Sequence, residues 1–141
     1  MNTTEVKAMF VSYADEADQT FLTDAQTNLY LVQGYNDFRD AICNVDPFIY
    51  STTFLFELTE DKIDLTTTTP QLLGEAAVAG SKLQRIVNLA RISDLTNNNV
   101  IQYLNAAPSQ ATLDSLQYCL DGSTIFFRGL TGGAFRLEYV P

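Results

Sequence analysis

The spacing of apolar positions changes from helical to strand-like part-way along the chain. Leu31, Tyr35, Phe38 and Ile42 recur at four, three and four residues, and Ala25, Leu29 and Val32 widen the stripe. This predicts an amphipathic helix with that stripe turned to the core. Thr23 followed by Gln26 is a capping-box pair that sets its start. Pro47 cannot continue a helix and biases Asp46 away from helical angles, so the element stops just before it, after about six turns. Upstream, Val6, Met9, Phe10, Tyr13, Ala14 and Ala17 make a second helical stripe over 3–17, with Asn2 and Glu5 placed to cap it. The short 19–22 connection favours an antiparallel helical hairpin, a splayed pair being the other arrangement. Gly34 in the middle of the long helix costs about 1 kcal/mol relative to alanine. Something is expected to pack close there, either within the chain or from a neighbouring subunit.

Beyond Pro47 the period falls to two. Phe54, Phe56 and Leu58 share one face of a strand over 48–58, and Glu60-Asp61 turns the chain into a short strand over 62–65. Thr69 and Pro70 have the order of an N-cap and first residue of a short helix at Gln71. Residues 71–95 read as a glycine-interrupted loop or short helix, then a strand over about 83–92. Residues 100–104 read as a single helical turn before Pro108. Leu116, Tyr118 and Leu120 alternate up to Asp121-Gly122, a tight-turn pair, and 123–128 returns. After a second turn at Gly132-Gly133, Phe135, Leu137 and Tyr139 alternate with Arg136 and Glu138, completing an expected three-stranded antiparallel meander. The fold class is α+β: an N-terminal helical hairpin with a long second helix, then a mostly antiparallel sheet.

A length of 141 residues suits one domain, 1–141, with a helical part over 1–46 and a mainly β part over 48–141. No apolar run approaches the roughly 18 residues of a membrane span. The start MNTTEVKAMF lacks a basic stretch followed by an apolar block, so an intracellular product is expected. The net charge of −9 comes with only eight dispersed Lys and Arg residues, which disfavours direct binding to phosphate backbones. An acidic wall that DNA passes without sticking is compatible with it. Asp15, Glu16 and Asp18 lie near the C-terminal end of the first helical stripe, where the helix dipole disfavours acids. They form either a solvated face or a partner surface. Cys43 and Cys119 read as free buried thiols.

The chain has no histidine, and no Cys-x-x-Cys, HExxH, GxSxG or phosphate-loop pattern. The candidate carboxylates, Asp37 with Asp40, Glu60 with Asp61, and Asp64, lie in polar contexts that would not drive two pKa values apart. The 97–99 asparagines lack the arrangement of a calcium loop. Neither an enzyme nor a cofactor or metal is expected.

Several segments carry a family resemblance in their order. FLTDAQTNLYLVQGYNDF, DKIDL, LQRIVNLARI, LQYCLDGSTIFFRG and FRLEYVP together resemble the head-to-tail adaptor proteins of tailed bacteriophages. The helix motif is matched by Thr23, Asp24, Tyr30, Leu31, Gly34 and Tyr35. The hairpin motif and the closing arginine-x-x-tyrosine are matched by Tyr118, Leu120, Asp121, Gly122, Arg136 and Tyr139. The family usually has a proline just after the "aspartate-leucine" strand, whereas here Leu65 is followed by four threonines before Pro70. The resemblance implies a virion protein, made in the host cytoplasm, that assembles as a homo-oligomeric ring, commonly twelve-fold, beneath the portal protein. Such a ring extends the channel through which DNA passes and docks tail or neck proteins, with no membrane involved. It further suggests a subunit or portal interface at Gly34 and at Phe135, Arg136, Leu137, Glu138, Tyr139 and Val140, the last six on an exposed strand edge open to β-augmentation. A monomeric binding or regulatory module with an unknown partner is the alternative reading.

Overall fold

The computed structural model describes residues 2–13, 23–78 and 80–141, in two units, Met1–Asp46 and Pro47–Pro141. The first unit holds α1 (Thr3–Tyr13) and α2 (Asp24–Val45). Both start where local side-chain chemistry dictates. Asn2 and Glu5 exchange side-chain-to-backbone hydrogen bonds of 2.8 and 2.9 Å. The Thr23 hydroxyl accepts from the Gln26 amide while the Gln26 side chain accepts from the Thr23 amide, a complete capping box. At the other end the Asp46 amide still donates to the Ile42 carbonyl before Pro47 stops the helix. Lys7 of α1 and Asp24 of α2 form an ion pair. Residues 14–22, and with them the connection between the helices, lie outside the described residues.

The stripe expected to face the core does not. Leu29, Val32, Tyr35 and Phe38 are each more than half exposed, and only Thr27 and Cys43 of α2 are buried. The apolar positions of α2 span more than half of its circumference.

The second unit opens with a 3-10 turn at Pro47–Tyr50 and contains strands β1 (Thr52–Glu57), β2 (Lys62–Asp64), β3 (Arg85–Ile92), β4 (Val100–Ala106), β5 (Gln117–Asp121), β6 (Thr124–Phe127) and β7 (Ala134–Val140). They form one sheet in the order β1-β7-β3-β4-β5-β6-β2. All pairings are antiparallel except that of β4 with β5. Its two end strands are consecutive in the chain, joined only by 58–61, so the sheet curls back on itself. The Leu58 amide donates to Gly133 and the Phe127 amide to Asp61 across that junction. Phe127 and Phe135, in strands that are not neighbours in the sheet, consequently meet with ring centroids 5.2 Å apart. Phe54, Phe56, Leu89, Ile125, Phe135 and Leu137 are central to the core so enclosed, all of whose members belong to this unit.

Three sequence expectations are corrected here, and one pair of alternatives is decided. Residues 62–64 do not return along β1 but pair with β6. Of the loop and the short helix expected after Pro70, the structure shows the loop: Leu65, Leu72 and Leu83 are buried, and the chain is held by backbone bonds from Leu72 to Leu65 and from Leu83 to Leu72. Residues 100–106 form a strand, because β3 offers a partner in register with Leu89 opposite Leu104. The expected meander also does not close. β5 and β6 form the hairpin at Asp121-Gly122, but β7 pairs with β1 and β3. Gly129 and Gly133, both at positive φ, redirect the six-residue connection, which is too long for a tight hairpin.

Candidate functional site

The structure separates the residues assigned to an interface from the sequence. β7 is an interior strand, paired along one edge with β1 and along the other with β3. Its backbone is therefore not free for β-augmentation, and this corrects the exposed-edge expectation for 134–140. Phe135, Leu137 and Tyr139 point into the core, and Val140 is buried beside them in register with Arg85. Arg136 and Glu138 alternate onto the opposite face of β7. There the Arg136 guanidinium pairs with Glu138 at 3.1 Å, and the Asn88 amide donates to the other Glu138 oxygen at 3.0 Å. The Arg136 Nε is buried without a partner. Gly34 lies in α2, exposed, and a Cβ added there would meet nothing within 4 Å. The close packing that its presence suggested is absent among the described residues. Asp15, Glu16 and Asp18 lie outside the described residues.

What the structure brings together instead is the apolar surface of α2. Tyr35, Phe38 and Val45 are exposed on one side, with Leu31 and Ile42 half-buried between them, and Leu29 and Val32 are exposed alongside. The sequence signal was there as a helical stripe, but a stripe reads the same whether it meets a core or a partner. In the second unit, Ile101 and Tyr103 of β4 are exposed as well. Only Asn105 and Ala106 of β4 pair with β5, so the earlier part of that strand is paired on one side alone.

The carboxylates build loops. Asp64 accepts from the backbone amide and hydroxyl of Thr66 at 2.9 and 2.8 Å, which hold its carboxyl below the ordinary value. Asp94 accepts from the backbone amides of Asn97 and Thr96 and from the Asn97 side chain, with the same effect, and so organises the β3–β4 turn in which Asn98 takes a positive φ. Both are acceptors at neutral pH, the opposite of a raised general acid. A depression of about 390 Å³ is lined by Glu60, Lys62, Asp64 and Phe126, and one of about 400 Å³ by Gln110, Cys119 and Asp121. In the second, the Gln110 amide donates to Asp121 at 2.8 Å. Among the described residues, no group of three or more His, Cys, Asp or Glu side chains is placed to hold a metal ion. Cys43 and Cys119 are buried and form no disulfide, and no described helix is long and apolar enough to cross a membrane.

Comparison of the chain with protein-family models, with curated proteins and with solved structures finds no match.

Proposed function

We propose that this protein is a structural ring component of a tailed-phage virion, lying between the portal and the tail. The apolar surface of α2 carries the reading. Leu29, Val32, Tyr35, Phe38 and Val45 stand in water in the single chain, at 56–88% exposure. Contiguous apolar surface of that kind marks an interaction site. It favours an assembling protein over a self-sufficient monomer, and the adaptor-like order of segments names the assembly. The acidic balance of −9 suits a channel wall that DNA passes without binding. A ring of identical copies also requires two different contact faces on each copy, and α2 and the open part of β4 supply apolar surface in separate units.

Light scattering of the chain alone, and then mixed with the virion's portal ring, tests the reading. A closed multimer, or a monomer that joins the portal complex in fixed stoichiometry, is the expected result. A chain that stays monomeric at high concentration and passes the portal ring unbound rules the role out.

A further inference from the structure

We draw no further inference here: the strongest candidate, the stretch of β4 ahead of Asn105 where Ile101 and Tyr103 are exposed and β5 does not pair, is an open apolar strand edge, and nothing in the structure shows what covers it.

Discussion

Asp94 shows how a carboxylate in this protein serves structure. Three donors from Thr96 and Asn97 converge on it and lower its pKa below 3.8, so its charged form is bound more tightly in the folded chain than in the unfolded one. A depressed pKa contributes stability that is present above the ordinary value and is lost as pH falls through the folded one. Asp94→Asn should therefore lower the thermal midpoint at pH 7, and the gap to the wild type should narrow between pH 4 and pH 2. A gap that is constant with pH would show that the charge is not what the donors hold. Arg136 is the converse case, a cation held at 18% exposure with one nitrogen buried and unpartnered. Arg136→Met removes the charged one of Glu138's two partners, leaving Asn88, and should cost about 1–3 kcal/mol by urea unfolding. Adding Glu138→Leu should recover most of that loss, since a partly buried pair replaced by apolar groups is often neutral.

Gly34 sets up the clearest prediction about α2. Its backbone is helical and the site of its missing Cβ is open, so Gly34→Ala should stabilise the helix of the isolated chain by up to about 1 kcal/mol, read as a higher thermal midpoint of the far-UV signal. If assembly weakens in the same variant, the glycine is kept for the neighbouring copy. The ends of α2 were legible in the sequence because capping is local: Thr23 and Gln26 are three residues apart and Pro47 acts on its immediate neighbours. β1, β5 and β6 were legible because alternation and an Asp-Gly turn are also local, and the register of β5 with β6 about Gly122 bears out the turn. β4 was misread because its conformation is decided by β3, through pairings such as Leu89 with Leu104. After Pro70 the sequence left a loop and a short helix both open, because Gly74 and Gly80 interrupt its apolar spacing, and the loop is fixed instead by individual backbone bonds and by the buried Leu65, Leu72 and Leu83. The α2 stripe was seen correctly as apolar, but periodicity cannot tell a core from a neighbour, and the missing distinction is the candidate site itself.

The main hydrophobic core lies in the second unit, and the exposed apolar surface of α2 lies in the first. Residues 1–46 contain eight acids and two bases, so identical copies repel one another through their helical parts, and raising salt from about 0.01 to about 0.15 M should strengthen assembly. Weakening over the same range would show instead that ion pairs between copies dominate. Every residue of the main hydrophobic cluster, from Phe54 to Tyr139, belongs to 47–141, and the sheet's two end strands are joined within that unit. A chain of residues 47–141 should therefore fold alone, with a cooperative thermal transition and a dispersed amide spectrum. It should also be monomeric, because the apolar surface of α2 is gone. A molten 47–141 would mean that the helices complete the core of the sheet. A folded 47–141 that still assembles would move the subunit contact from α2 to the open part of β4, where Ile101 and Tyr103 would be the next residues to change.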